Sequence, residues 1–196
     1  MDRLKSLLDE KVAQYNTPDF IANDPISFPH SFTRREDIEI VALLASVIAW
    51  GNRKMILRSG NRMFHEIMHS TQYEFVMGGE WESLDDKQNI HRTFFVSDLK
   101  YICRGLKKIY TRYGSMEPLF VDCSVWEGIE RLRNELANAN GGVTTRHISN
   151  PVSVKGKPGS ACKRMHMMLR WLCRRDGIDD LGIWHKVSPA ELMIPI

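Results

Sequence analysis

The fold is decided by residues 38–50, which read IEIVALLASVIAW. Apolar side chains occupy nearly every position of this stretch, so a helix built from it has no polar face to turn towards water. Such a helix must lie inside the core, and the stretch therefore predicts a buried central helix. The capping-box spacing of Thr33 and Glu36 predicts that this helix begins at Thr33, and Gly51–Asn52 is expected to end it.

The segments on either side of the central helix also repeat their apolar residues with a helical period. They predict a first helix that ends before Thr17 and carries Leu4, Leu7, Leu8 and Val12. A helix after residue 52 is expected to have on its inner side Met55, Ile56, Met63, Phe64, Ile67 and Met68. Three further helices are expected over Asp98–Tyr113, Ser124–Asn138 and Ser160–Arg175. Residues 24–30 hold Pro25 and Pro29 and are expected to form a loop that is not helical. Residues 143–159 are rich in glycine, proline, serine and threonine and also predict a loop.

No alternating pattern predicts a strand, so we expect an all-α fold, a compact multi-helix domain that spans residues 1–196. The chain is 43% hydrophobic and 26% charged, which suits one buried core. Its four cysteines form no CxxC pair, which is typical of a reducing compartment. No signal-peptide pattern and no run of about 20 apolar residues occurs. We therefore expect a cytoplasmic protein with no membrane partner, no metal and no cofactor.

Acidic residues are absent between Glu135 and Asp176, where the average composition of the chain would place roughly five. The same window contains Arg146, Lys155, Lys157, Lys163, Arg164, Arg170, Arg174 and Arg175. A second acid-free stretch, Ile40–His65, carries Arg53, Lys54, Arg58 and Arg62. The two stretches suggest one positively charged face assembled from separate segments, which favours contact with nucleic-acid phosphates. A solvated helix surface is the alternative interpretation.

A helical projection divides the last predicted helix into two sides. At about 100° per residue, one side holds Ala161, Met165, Met168, Leu169 and Leu172, and the opposite side holds Lys163, Arg170 and Arg174 within roughly 40° of one another. The apolar side must pack on the domain, so the cations are expected to face outward and to neutralise phosphates.

The residues before that helix predict a turn. Lys157, Pro158, Gly159 and Ser160 lead into a helix N-terminus, where free backbone N–H groups favour an anion. An ordinary turn glycine at Gly159 is the alternative interpretation.

At these residues the chain resembles the helix-hairpin-helix DNA glycosylases, most nearly the bacterial and archaeal 8-oxoguanine DNA glycosylase/lyases. In those enzymes a glycine-containing hairpin precedes the catalytic lysine, and a Leu-Arg pair follows the lysine. Here Gly159 precedes Lys163, and Leu169–Arg170 lies at the matching distance. Residues 159–196 and 37–62 also resemble an uncharacterised bacterial family related to those glycosylases. The resemblance implies a helix-hairpin-helix element within residues 143–175.

The resemblance also implies a role in base excision repair, with damaged duplex DNA as the partner. Lys163 would attack the sugar C1′ of a damaged nucleoside, expel the base and form a Schiff base, from which β-elimination cuts the strand. The target base would be flipped out of the duplex. The DNA-binding residues expected on this basis are Lys155, Lys157, Gly159, Ser160, Arg164, Arg170, Arg174, Arg53 and Lys54.

Two differences from the characterised glycosylases bear on catalysis. Ala161 replaces their second hairpin glycine, so the turn is expected to differ. Their essential aspartate follows the hairpin helix in a Leu-Asp-x-His pattern, whereas residues 192–196 here read LMIPI and the sequence stops. We therefore expect that the C-terminal part of the family domain is missing after residue 196, and with it the partner of Lys163. A non-enzymatic helical module that binds nucleic acid is the alternative function.

One further motif indicates different chemistry. His65, Glu66 and His69 match HExxH on a predicted helix, where zinc hydrolases place two ligands and a glutamate base. The charged Arg62 lies in the flank that is usually uncharged, and no third-ligand extension follows. Two ordinary surface histidines are therefore the preferred interpretation, and a zinc hydrolase is the remote alternative.

Overall fold

The computed structural model describes residues 2–153 and 159–192, and within them the chain is mostly helical, with a single two-stranded sheet. The helices are α1 Asp2–Tyr15, α2 Pro18–Ile21, α3 Ser27–His30, α4 Arg35–Ile48, α5 Arg53–Asn61, α6 Gln72–Gly78, α7 Val96–Tyr113, α8 Val125–Ala139 and α9 Lys163–Cys173. The strands β1 Asn89–His91 and β2 Phe94–Phe95 pair antiparallel as a hairpin. The all-α class is therefore confirmed.

The core is built around α4, as residues 38–50 predict. Ile40–Val47 are fully buried, and α3, α6 and α9 all pack against this helix. The predicted start at Thr33 is wrong, because α4 begins at Arg35 and its N-cap residue Arg34 makes no side-chain capping bond. The first turn is held instead by an ion pair, in which the Nε of Arg35 lies 3.1 Å from the Oε1 of Glu39.

Glu39 is a charged residue at the centre of this core, with no exposed surface. Its carboxylate accepts hydrogen bonds from Arg35 Nε, Tyr110 Oη, Ser115 Oγ, Met116 N and Trp184 Nε1, at distances of 2.7 to 3.1 Å. Because a buried carboxylate is tolerated only when it is paired and hydrogen-bonded, this set of donors explains a charge within an otherwise apolar helix. The donors also join α4 to α7 and to the chain that follows α9.

The expectation that residues 24–30 are not helical is wrong for their last four residues. Ser27–His30 form α3, with Phe28 and Pro29 buried. Pro29 lies in the first turn, where a backbone N–H has no partner within the helix, so the proline removes no helical hydrogen bond.

The helix after Gly51–Asn52 is confirmed, and the Oδ1 of Asn52 caps it by accepting from the N–H of Met55. A π-helical turn, Arg62–Ile67, continues it. The predicted inner residues are buried except Met55, whose side chain is exposed. The β1–β2 hairpin that follows was not expected, because strands of three and two residues are too short to show an alternating pattern.

Helices α7 and α8 pack closely where a glycine replaces a side chain. A Cβ atom added to Gly105 would lie 2.9 Å from the Cα of Leu136, so the two backbones approach more closely than a larger residue would allow. Ser124 and Glu127 form a capping box at the start of α8, within one residue of the predicted boundary.

Helix α1 is confirmed, but its apolar residues lie on the surface. Leu4, Leu7, Leu8 and Val12 are 49 to 63% exposed. Among the described residues, no helix is long and apolar enough to cross a membrane.

Helix α9 begins at Lys163 and ends at Cys173, inside the predicted limits of Ser160 and Arg175. Its predicted apolar side is confirmed at Met165, Met168, Leu169 and Leu172, which are fully buried, whereas Ala161 precedes the helix and is exposed.

Candidate nucleic-acid interface

Just before α9, the chain at Gly159–Ser160 passes very close to the chain at Asn150–Pro151. A Cβ atom added to Gly159 would lie 1.9 Å from the carbonyl oxygen of Pro151, so only glycine fits at this position. The N–H of Ser160 donates to the carbonyl oxygen of Asn150 at 2.8 Å. Gly159 is thus required by the contact between the two segments. The predicted binding residues Lys155 and Lys157 lie outside the described residues.

The first turn of α9 has free hydrogen-bond donors. Its N-cap residue Cys162 has a φ of +48° and makes no side-chain capping bond. The N–H groups of Met165 and His166 both donate to the carbonyl oxygen of Cys162. Those of Lys163 and Arg164 have no acceptor among the described residues. No acidic residue lies in this turn, so the positive end of the helix dipole is uncompensated and favours an anion.

The side chains of Lys163 and Arg164 point to different surroundings. Lys163 is exposed and forms no ion pair with any residue in 2–153 or 159–192. Arg164 is partly buried and donates from Nη1 to the carbonyl oxygen of Val47, and burial lowers the pKa of its guanidinium. Arg164 therefore caps the C-terminal end of α4, and its guanidinium does not face outward as a phosphate ligand.

The prediction that Arg170 and Arg174 form an uncompensated basic stripe is wrong. Arg170 pairs with Asp179 at 2.5 Å and with Asp180 at 3.2 Å. Arg174 pairs with Asp180 at 2.6 Å and with Asp176 at 2.5 Å. All three aspartates follow the acid-free window, and a helical projection of α9 does not include them.

A reversal of the chain after α9 brings the aspartates to the arginines. The N–H groups of Leu181 and Gly182 donate to the carbonyl oxygen of Trp171, and that of Trp184 donates to Leu172. Burial raises the pKa of Asp180 to about 6, and the attraction of Arg170 only partly offsets this effect. Most of the charge predicted for the outer face of α9 is therefore neutralised within the fold.

The same aspartates form the one carboxylate cluster among the described residues with spacing suited to a metal. Ligand atoms of Asp176, Asp179 and Asp180 lie within 4.8 Å of one another. Because Arg170 and Arg174 already provide positive charge to these carboxylates, we interpret the cluster as an ion-pair network that fastens the chain reversal to α9.

The HExxH motif does not have the helical geometry that zinc hydrolases use. His65 and Glu66 lie in the π-helical turn, and His69 lies beyond it with a φ of +54°. The two histidines are therefore not one α-helical turn apart on a common face, and the Nδ1 of His65 instead contacts the Oγ of Ser70 at 2.8 Å. The expectation that the whole motif lies on one helix is wrong, because His69 falls outside it, and this geometry does not support the zinc alternative.

The second acid-free stretch places most of its cations on the surface. Arg53 lies 3.8 Å from the carboxylate of Asp24, and Lys54 is exposed with no ion pair among the described residues. Arg58 is also exposed, and Arg62 donates to the carbonyl oxygen of Asn89 at 2.9 Å.

One cation beside this stretch was missed by the sequence analysis. Arg92, at the turn of the β-hairpin, has its guanidinium 4.8 Å from the ring centre of Trp50. Trp171 and Trp184 are buried in the core, whereas Trp50 is partly exposed. No periodic pattern links residues 50 and 92, so only the fold could reveal this pair.

Comparison with known proteins assigns the chain to a family. Searches of curated proteins and of solved structures each found no match. A family described as "Protein of unknown function (DUF2400)" matches residues 24–196, which include α3 to α9 and the entry to α9. Because the match covers most of the sequence, the chain belongs to the DUF2400 family.

Proposed function

We propose that this chain is a DNA-binding protein of the helix-hairpin-helix DNA glycosylase/lyase type, in which Lys163 is the amine nucleophile. The observation that carries the proposal is the setting of Lys163. It is exposed at the first position of α9, it has no ion pair among the described residues, and it follows a turn in which only glycine fits at residue 159. The resemblance in the spacing of Gly159, Lys163 and Leu169–Arg170 points to the same residue.

The N-terminus of α9 provides the phosphate contact in this proposal. The free N–H groups of Lys163 and Arg164 and the helix dipole together favour one phosphate of a DNA strand at this end. Ser160, which is exposed, supplies a hydroxyl beside the same turn. The backbone thus holds the strand, and the amine of Lys163 remains available to react with the sugar.

The chemistry needs one covalent step at Lys163. At an abasic site, the unprotonated Nζ adds to the C1′ aldehyde, and loss of water leaves an imine between protein and DNA. With a damaged nucleoside, Nζ forms a bond to C1′ while the glycosidic bond breaks, and the base leaves with the bonding electrons and takes up the proton that the amine loses. Opening of the C1′–O4′ bond then gives the same imine. Arg164, held at Val47, keeps the start of α9 in place against α4.

The amine can be tested separately from base excision by using duplex DNA that already contains an abasic site. Borohydride reduces the imine to a stable amine, so the wild-type chain should form a covalent protein–DNA adduct. Lys163→Ala should abolish the adduct, because the reacting nitrogen is removed. Lys108→Ala, which removes an exposed lysine of α7, should leave it unchanged.

Two results would contradict the lyase proposal. One is an adduct that persists in Lys163→Ala, and the other is the absence of an adduct with the wild-type chain. Binding without an adduct would favour the second candidate, a non-enzymatic DNA-binding module. The exposed cations of α5 favour that candidate independently of Lys163.

A further inference from the structure

The β-hairpin is fixed to the ends of two helices by a buried histidine. His91 is 1% exposed, and its Nε2 lies 3.0 Å from the carbonyl oxygen of Trp50, just after α4. Its Nδ1 lies 3.0 Å from the Oγ of Ser59 in α5. Because a carbonyl oxygen can only accept, Nε2 carries the proton and Nδ1 accepts from Ser59. One buried side chain therefore joins the hairpin, α5 and the end of α4 into one unit.

Five cations lie on or beside this unit. We define the hairpin edge as Lys54, Arg58, Arg62, Arg92 and Arg146. Lys54, Arg58 and Arg62 follow one another at intervals of four along the outer side of α5 and the turn that continues it.

Two further arginines extend the edge across the hairpin. Arg92 occupies the hairpin turn, and Arg146 donates from Nη2 to the carbonyl oxygen of Thr93 at 3.1 Å. The guanidinium of Arg62 is likewise held on the carbonyl oxygen of Asn89 in β1. Backbone carbonyls of the hairpin thus position two of the five cations without neutralising them.

The hairpin edge differs from α9 because its charge is not compensated. None of its five cations forms an ion pair with an acid in the described part of the chain. The charge of Arg146 acts on Asp98 and helps to lower the pKa of that carboxyl, but the carboxylate accepts from the N–H of Phe95 and pairs with His147, and it forms no ion pair with Arg146. An ordinary solvated surface mixes both signs of charge, so an uncompensated row of cations indicates an anionic partner.

Arg92 is held in an unusual conformation. Its φ is +50°, a region that side chains other than glycine and asparagine seldom adopt, and its guanidinium stacks on Trp50. The stack keeps the charge of Arg92 at the surface beside a partly exposed aromatic ring. This is the combination by which proteins contact the backbone and bases of nucleic acids.

The hairpin edge and the start of α9 each have one arginine at the C-terminal end of α4. Arg164 donates to the carbonyl oxygen of Val47, and Trp50 follows Val47 by three residues. Arg164 at the start of α9 and Arg92 of the hairpin edge therefore border the same end of α4, which is the arrangement that one extended polyanion would need in order to contact both.

We propose that the hairpin edge binds the phosphate backbone of the DNA whose damaged site reaches Lys163. The inference rests on the proposed function for the identity of the ligand. A protein partner is disfavoured, because protein interfaces need an apolar centre and Met55 is the one large exposed apolar residue that α5 and the hairpin present. Surface cations with little apolar surface around them instead suit a polyanion, whose phosphates they can neutralise.

The test is the salt dependence of binding to undamaged duplex DNA. In Arg58→Ala/Arg146→Ala, the slope of log K against log salt should fall by about 2, because each lost phosphate contact removes about one unit. The matched control is Lys107→Ala/Lys108→Ala, which removes the same charge from the groove that Gly78 and Asn138 line. Its slope should equal that of the wild type. Arg58→Ala alone should lower the slope by about 1, and it should leave the fold intact, because the exposed Arg58 side chain forms no ion pair in the described part of the chain.

The outcomes separate this inference from the lyase proposal. Equal slopes for the wild type and the Arg58/Arg146 variant would overturn the inference, as would an equal fall in the control. A fall confined to the Arg58/Arg146 variant would support it, even if borohydride trapped no adduct and the lyase proposal failed. If the wild-type chain bound no duplex DNA, both proposals would fail.

Discussion

At the scale of single residues, burial decides which polar groups are fixed by the fold and which remain available. Glu39 and His91 are buried and have their hydrogen-bonding partners within the chain. Lys163 and Arg58 are exposed and have no ion pair among the described residues. Lys163 and Arg58 are therefore the candidates for ligand binding, whereas Glu39 and His91 serve the fold.

His91 gives a prediction about pH. Burial lowers the pKa of His91, and its hydrogen bond to Trp50 only partly offsets this effect. The unfolded chain therefore binds the proton more readily, so the contribution of His91 to stability is complete above about pH 6.5 and is lost as the pH falls below that value. One such group changes the free energy of unfolding by at most about 1.4 kcal/mol per pH unit.

The measurement is urea unfolding at pH 7 and at pH 5, for the wild type and for His91→Gln. The wild type should lose more stability than the variant over this interval, because glutamine does not titrate. Parallel losses in the two proteins would show that His91 is not the group responsible.

At the scale of elements, the close contact of α7 with α8 depends on Gly105. Gly105→Ala would gain about 0.5–1 kcal/mol of helix propensity, but its Cβ would lie 2.2 Å from the Cδ2 of Leu136 and 2.9 Å from its Cα. Overpacking of this kind costs about 1–3 kcal/mol. We expect a net destabilisation of about 1–2 kcal/mol by thermal or denaturant unfolding. Lys108→Ala, on the exposed side of α7, serves as the control, and a Gly105→Ala protein as stable as the wild type would refute this packing.

Several elements were predictable because local physics determines them. The all-round apolar character of residues 38–50 leads directly to a buried helix, and the apolar side of α9 follows from its period. The hairpin was not predictable, since its strands are too short to show a period and it depends on the contacts of His91 with Trp50 and Ser59.

The candidate site was predictable only in part, because it too depends on contacts between segments that no periodic pattern links. Helical projection correctly placed the apolar and polar sides of α9, but it could not show that the chain reverses and brings Asp176, Asp179 and Asp180 onto two of the arginines. Nor could it show that Arg164 turns inward to Val47. Lys163 lies at the very start of α9, away from the three aspartates, and its side chain therefore remains exposed.

At the scale of the whole molecule, the chain after α9 closes the domain over α4. Its ion pairs attach it to α9, and Trp184, which is fully buried, donates from Nε1 to Glu39 at 2.9 Å. This closure neutralises one part of the basic surface, whereas the start of α9 and the hairpin edge have no ion pairs in the described part of the chain. Arg164 and Arg92 place both at the C-terminal end of α4, and we therefore expect one continuous DNA-binding side.

The central claim is that Lys163 is the reactive amine on that side. Its most direct test is to locate the linkage in the borohydride-trapped adduct with abasic duplex DNA, by proteolysis and fragmentation mass spectrometry. We expect the reduced sugar remnant on the Nζ of Lys163. A remnant found on another lysine or on the terminal amine, with Lys163 unmodified, would contradict it.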